Sequence, residues 1–280
     1  MPVQERTFDD DLTELAKRLR ADIVRATTEA GSGHPSSSLS MVEILAVLYF
    51  GGVLRYDPEA PDDPGRDRFI LSKGHGAPGL YAVLANAGYF PREDLMTLRS
   101  LGSPLEGHPN MCRLPGVEAS TGSLGQGLSI GIGHAHAGKL DGRDFRVYVI
   151  VGDGESEEGQ VWEALMHAGN HGLDNLTLII DRNGYQQTGA VDDTQPLDPL
   201  AQKLGSFGWQ VMAIDGHVLE QVRDAFDWAR SVKDAPQAII ARTIKGKGVS
   251  LLEAKQGGWH GTPIPPDEVD IAVAEIGAAG

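Results

Sequence analysis

The chain has 280 residues and a single cysteine, Cys112, which excludes an internal disulfide and a four-thiolate zinc site. That usage fits a reducing compartment. Long hydrophobic runs are also missing. The longest apolar stretch, residues 44–54, is 11 residues long and includes Gly51 and Gly52, too short to span a bilayer. The opening MPVQERTFDDDL lacks the charged-then-apolar order of a signal peptide. The expected setting is therefore cytoplasmic, with no membrane partner. Positive charge is scarce: 24 Lys and Arg against 39 Asp and Glu give a net charge of −15 and a pI near 4.9. A nucleic-acid-binding module needs a basic face, so nucleic acid is not an expected partner. Any anionic ligand must be held by a local pocket against an unfavourable overall field. Neither an internal repeat nor a linker-like stretch divides the chain. One domain over residues 1–280 is expected, with a core from about 10 to 250 and a C-terminal tail, 251–280, whose part after Trp259 lies on the surface.

Glycine is abundant, at 36 residues, about twice the usual share of roughly 7%. It falls in tight clusters between apolar runs, where backbone turns sharply or approaches a ligand. The apolar pattern predicts helices over 11–30, 38–49, 78–88 and 91–101, with a short strand over 67–71. Further on, strands at 146–151, 176–180, 210–214 and 238–241 alternate with helices at 159–172, 197–207 and 219–232. This alternation, with near-continuously apolar strands, predicts an α/β fold: a parallel sheet flanked by helices on both faces. Ligands of such sheets bind beyond the carboxyl ends of the strands.

Glycine clusters that directly follow a strand therefore carry the most chemical interest. In Val149-Ile-Val-Gly-Asp-Gly-Glu155 a strand ends in Gly-Asp-Gly and leads into a helix. Gly152 and Gly154 allow close backbone approach, and Asp153 stands near a helix N-terminus that favours an anion. The strand at 176–180 ends in Asp181-Arg-Asn183-Gly-Tyr185. If these strands are neighbours, Asp153 and Asn183, 30 positions apart, converge at the sheet edge. A carboxylate, an amide oxygen and a nearby carbonyl suit Mg²⁺, which uses few protein ligands and lets phosphates complete its octahedron. Four histidines have a common framing: His34, His75 and His108 follow glycine and precede proline or glycine, and His260 lies in Gly257-Gly-Trp-His-Gly261. Loop imidazoles of this kind line clefts and exchange protons near pH 7. His134, His136, His167 and His171 fall in helical stretches and read as structural or solvent-facing, and His217 as a helix-start residue. Thr121-Gly-Ser-Leu-Gly-Gln-Gly127 heads an apolar helix. The run Gly133-His-Ala-His-Ala-Gly138-Lys139 imitates a phosphate-binding loop but continues into Leu140 and sits inside a helix, so it is rejected.

Gly-Asp-Gly with an asparagine about 30 residues later resembles the thiamine-diphosphate and Mg²⁺ motif of thiamine enzymes. Ser32-Gly-His-Pro35, Leu71-Ser-Lys-Gly-His-Gly76, Glu106-Gly-His-Pro109, Thr121 to Gly127, Gly152 to Gly159, and Gly246-Lys-Gly248 with Trp259-His-Gly261 follow in the order seen in transketolases. The resemblance runs from about residue 10 to 270. It covers the N-terminal, diphosphate-binding part of that family, without the pyrimidine-binding and C-terminal domains. It implies the thiamine-diphosphate-binding fold and the N-terminal subunit of a split transketolase. Such a subunit transfers a two-carbon ketol unit from a ketose phosphate to an aldose phosphate. Its implied partner is a C-terminal subunit carrying the pyrimidine domain and its cofactor-activating glutamate, in an α₂β₂ heterotetramer. The implied cofactors are thiamine diphosphate and Mg²⁺, with Ca²⁺ or Mn²⁺ as substitutes. Carried over residue by residue, Asp153, Asn183 and the Tyr185 carbonyl hold the metal. Gly154, His75, Gly122, Ser123 and Leu124 contact the cofactor, with Ser37 and Lys245 as weaker candidates. His34 and His260 face cofactor and sugar, His108 binds the donor's hydroxyl end, and Glu158 joins the network between paired sites. Pro35-Ser-Ser-Ser-Leu39 departs from the Gly-Ala-Pro-Met-like run of many bacterial transketolases and leaves the acceptor sugar open. The alternatives are a subunit of a 2-oxo acid dehydrogenase or deoxyxylulose-phosphate synthase, disfavoured by the SGHP, EGHP and WHG elements, and a non-catalytic scaffold.

Overall fold

The computed structural model describes residues 8–255 and 259–278. Five parallel strands, β1 (Arg68–Leu71), β2 (Val147–Gly152), β3 (Leu176–Arg182), β4 (Gln210–Asp215) and β5 (Gln237–Arg242), form one sheet in the order β1-β2-β3-β5-β4. β2 is buried along its whole length and β3 up to Asp181, because helices cover both sides. β4, at the edge, alternates toward solvent. Side-chain alternation splits the core in two. Tyr148 and Ile150 pack with the helices Phe8–Glu29, Val42–Phe50, Ala77–Asn86 and Leu219–Ser231 on one face. Val147, Val149 and Val151 pack with Gln126–Leu140, Gly159–Asn170 and Leu200–Ser206 on the other. The expected α/β class and two-sided helix cover are both present. No helix of the described residues is long and apolar enough to cross a membrane.

Four local readings are corrected. The helix expected over 38–49 is two pieces, Pro35–Leu39 and Val42–Phe50. The chain breaks there because the Ser37 carbonyl accepts from Lys73 Nζ (2.7 Å) and Ser40 Oγ donates to Asp181 (2.6 Å). The helix expected over 91–101 is a short 3-10 turn, Arg92–Thr97. Leu98 is already extended beyond it and Arg99 is left-handed (φ 59°). His217 precedes the helix start rather than forming it: Leu219 opens the helix. The His217 imidazole instead bridges Glu43 Oε2 (3.0 Å) and the Ile244 N–H (2.8 Å). Finally, the tail does not simply lie on the surface. After Trp259, Val269–Ala278 is a helix packed against Phe8–Glu29, and Ile264, Ala272 and Ile276 enter the core. Val269, Ala272, Val273 and Ile276, spaced i, i+3, i+4 and i+7, carry that amphipathic signal at the sequence level.

Candidate functional site

β2 and β3 pair in register Gly152↔Asp181, so the loops that leave them start side by side at the carboxyl edge of the sheet. The Asp153 carboxylate accepts from the Gly154 N–H (2.9 Å) and, across the strands, from the Gly184 N–H (2.5 Å). Asn183 and Tyr185 flank that contact. Asn183 Oδ1 accepts from the Tyr185 N–H (3.1 Å) and closes a turn that holds the loop's shape. Gly154 permits this approach: a Cβ there would lie 2.5 Å from that of Gln186. Burial, and then the neighbouring Asp181, push the Asp153 carboxyl up to about 7, while its two peptide donors oppose the shift.

Above these loops lies a cleft of about 720 Å³. His34, His75 and His260 form a triangle on its wall, with ring centroids 5.1–5.3 Å apart. They come from three remote segments: a helix entry, the turn after β1, and the turn at Trp259–His260. His108 lines the same space beside Gly122, whose φ of 144° and missing Cβ leave room for the His108 ring. Burial, then His260, Arg99, His108 and Lys245, hold His34 down to about 4. Burial and Lys245 hold His260 at about 4. His75 lies well below its usual value through burial and Lys73, and His108 is lowered by burial and Arg99. All four imidazoles are therefore neutral at pH 7, able to donate from one nitrogen and accept at the other. Lys245 Nζ lies 3.0 Å from His260 Nδ1. An ammonium can only donate, so Nδ1 accepts and the His260 ring proton sits on Nε2.

Of the residues expected from sequence, His34, Ser37, His75, His108, Gly122, Leu124, Asp153, Gly154, Glu158, Asn183, Tyr185 and His260 line the cleft. Ser123 is exposed and does not line it, and Lys245 stands behind His260 as its buried hydrogen-bond partner. Two important residues escaped the sequence reading. Lys73 is 1% exposed on the cleft floor. It pairs with Asp181, which also accepts from Ser40 (2.6 Å), Thr243 and Asn183 Nδ2 (3.4 Å). Burial would raise the Asp181 carboxyl, but Lys73 and these donors hold it below its usual value. Glu155 is the other. Its carboxylate ties Ser72 Oγ (2.6 Å) and the N–H groups of Gly125 (2.9 Å) and Gly152 (3.0 Å) into one knot. Both lie inside motifs noted for their glycines and histidines, and only burial distinguishes them there. The cleft lining thus combines Lys73 and four neutral imidazoles with the carboxylates Asp153, Glu155, Glu157 and Glu158, in a chain of net charge −15.

Residues 11–279 match the family described as transketolase, thiamine diphosphate binding domain. The chain is 43% identical over 270 residues to the 6-deoxy-6-sulfo-D-fructose transketolase subunit SqwG of Clostridium sp. (strain MSTE9), covering 96% of this chain and 98% of that one. It is 44% identical over 266 residues to the transketolase of Pongo abelii, covering 95% of this chain and 42% of that protein, and so spans less than half of that relative. The crystal structure of the transketolase from Campylobacter jejuni matches with a TM-score of 0.89 at 33% identity, covering 99% of this chain and 43% of that one.

Proposed function

The chain belongs to the transketolase family, within its thiamine-diphosphate-binding domain, and on that premise we propose that it is the N-terminal subunit of a split transketolase. One observation carries the reading: two adjacent strand ends bring Asp153 and the Asn183–Tyr185 turn together beneath His34, His75 and His260. The residues fit the cofactor pair that the family implies. Among the described residues, Asp153 is a buried carboxylate met only by peptide N–H donors, which suits a hard divalent cation, and His34 Nδ1 is a buried nitrogen without a hydrogen-bond partner. Asp153, Asn183 Oδ1 and the Tyr185 carbonyl would hold Mg²⁺ and, through it, a diphosphate. When bound, thiamine diphosphate supplies a ring that acts as an electron sink for the transferred two-carbon unit.

The chain's own residues do the rest. Lys73, paired with Asp181, lies on the floor, and Lys245 stands behind His260 as its hydrogen-bond donor. His260, with its proton on Nε2, and His34 would donate to and take back protons from sugar oxygens as charge develops on them. His75 and the Gly122–Leu124 turn would shape the cofactor's seat, with Ser37 at its edge. His108 would orient the donor's hydroxyl end, and Glu158 would reach toward a paired site. The partner reading is supported by the end-to-end match to a relative named as a subunit. It calls for a second chain carrying the pyrimidine-binding domain, in a cytoplasmic α₂β₂ assembly with closed symmetry, this chain being a single domain within it.

The test is a ketol-transfer assay with xylulose 5-phosphate and ribose 5-phosphate, thiamine diphosphate and Mg²⁺. It is run on this chain alone and with a pyrimidine-domain polypeptide from the same source. A parallel arm offers 6-deoxy-6-sulfo-D-fructose, the sugar in the clostridial relative's name, as donor. Transfer only in the mixture is expected. Robust transfer by this chain alone would overturn the split reading.

A further inference from the structure

Three histidines far from the cleft take no part in the chemistry above. His136 lies in the second half of Gln126–Leu140. His167 lies in the last turn of Gly159–Asn170, and His171 caps that helix four residues later. Gly159 adjoins Glu158 on the cleft wall, and at 1.5 Å per helical residue His167 and His171 stand roughly 12 and 18 Å beyond it. His167 and His171 are exposed and His136 is half-buried. One nitrogen from each of the three lies within 4.8 Å of the other two. His136 Nε2 and His167 Nε2 are 2.9 Å apart, and the His167 and His171 ring centroids 4.3 Å apart.

Imidazoles bound to one ion at about 2.0–2.1 Å in a tetrahedron place their nitrogens roughly 3.3 Å apart, so little adjustment separates this cluster from a ligand set. The scaffold beneath it is firm. Gln126 and Gln160 exchange two hydrogen bonds (2.7 and 3.0 Å) between the same two helices, and Gly131 packs the first of them onto the sheet. The nearest cation, Lys139, is occupied by Asp174 at 2.5 Å.

We propose that His136, His167 and His171 form a binding site for one divalent transition-metal ion of the Zn²⁺ class, with water in the open position, clamping the C-terminal end of the Gly159–Asn170 helix to its neighbour. Imidazole donors select zinc, nickel or copper, whereas the oxygen donors at Asp153 and Asn183 select magnesium, so the two places do not compete for one ion.

The probe is ZnCl₂, titrated calorimetrically into the untagged, chelator-stripped full chain at pH 7.5 with excess Mg²⁺ present. CoCl₂ is used in parallel for its visible spectrum. One equivalent of ion should bind, with loss of about 100-fold or more in affinity when His136→Ala and His167→Ala are combined, since even outer-shell partners of a bound metal are worth 10–100-fold. Asp153→Asn should leave this binding unchanged. Zn²⁺ should raise the melting temperature of the parent chain and not that of the double variant, and matching circular dichroism would establish that both are folded. Absence of saturable binding, equal heats from parent and double variant, or loss of binding in Asp153→Asn would each overturn the proposal.

Discussion

Two aspartates end adjacent strands at the same edge of the sheet, yet their surroundings differ. Asp181, at the end of β3, is fully buried. It is met by an ammonium, two hydroxyls and an amide, from Lys73, Ser40, Thr243 and Asn183. Asp153, just past β2, is nearly as buried but among the described residues receives only two peptide N–H groups. The first carboxylate is held low and the second is pushed up to about 7, each by burial acting with or without a counter-charge. A saturated carboxylate is part of the scaffold. An unsaturated one, opening on a cleft, is a candidate to meet a ligand.

Breaking the saturated end should have the largest effect. Asp181→Ala leaves Lys73 charged and buried without its counter-ion, and urea unfolding should show a loss of about 3–5 kcal/mol. Replacing both partners by apolar residues, Asp181→Leu with Lys73→Met, should recover most of that loss. At the other end the outcomes reverse. Asp153→Asn should keep the fold within about 1 kcal/mol, while Mg²⁺-dependent binding of thiamine diphosphate, followed by calorimetry, falls about 100-fold or more. Unchanged affinity would remove Asp153 from the metal site. Gly154→Ala should lie between the two. Its Cβ would force Gln186 and the turn before it away, costing about 1–3 kcal/mol, read more strongly in cofactor affinity than in melting temperature.

A further effect concerns protons. His34 and His260 remain neutral down to about 4 in the fold, whereas in the unfolded chain they protonate near the usual 6.5. Unfolding therefore takes up protons between these values. The stability tied to two neutral imidazoles is complete above about pH 6.5 and is lost as pH falls toward 4. Urea midpoints at pH 7.5 and 5 should show this decline, and His260→Gln should flatten it. A midpoint equally pH-dependent in the variant would mean that other groups carry the effect.

Much of the site was legible along the chain because its signals are local. Gly152-Asp-Gly154 after one apolar run and Asn183-Gly-Tyr185 after another are strand-end turns whose chemistry can be read from neighbours in sequence, and the sheet brings them together as expected. The histidines in glycine-framed loops were legible for the same reason. Glu155 was not: it lies in the same motif as Glu158, and nothing local says which carboxylate turns inward to tie Ser72 and Gly125. His136, His167 and His171 read as ordinary helix positions, since their meeting depends on how two helices dock. The helical break near Ser40 was missed because its cause lies in Lys73 and Asp181, both distant in sequence.

Sequence alone therefore determined the five apolar strands, the two-sided helix cover and the pair of strand-end loops, because periodicity and turn chemistry act over a few residues. Tertiary structure alone decided which charges are paired. Lys73 and Asp181 are 108 positions apart, and Lys245 and His260 are 15 apart. Desolvation is set by everything packed around a group, so whether a carboxylate is scaffold or ligand exists only once the chain has closed over it.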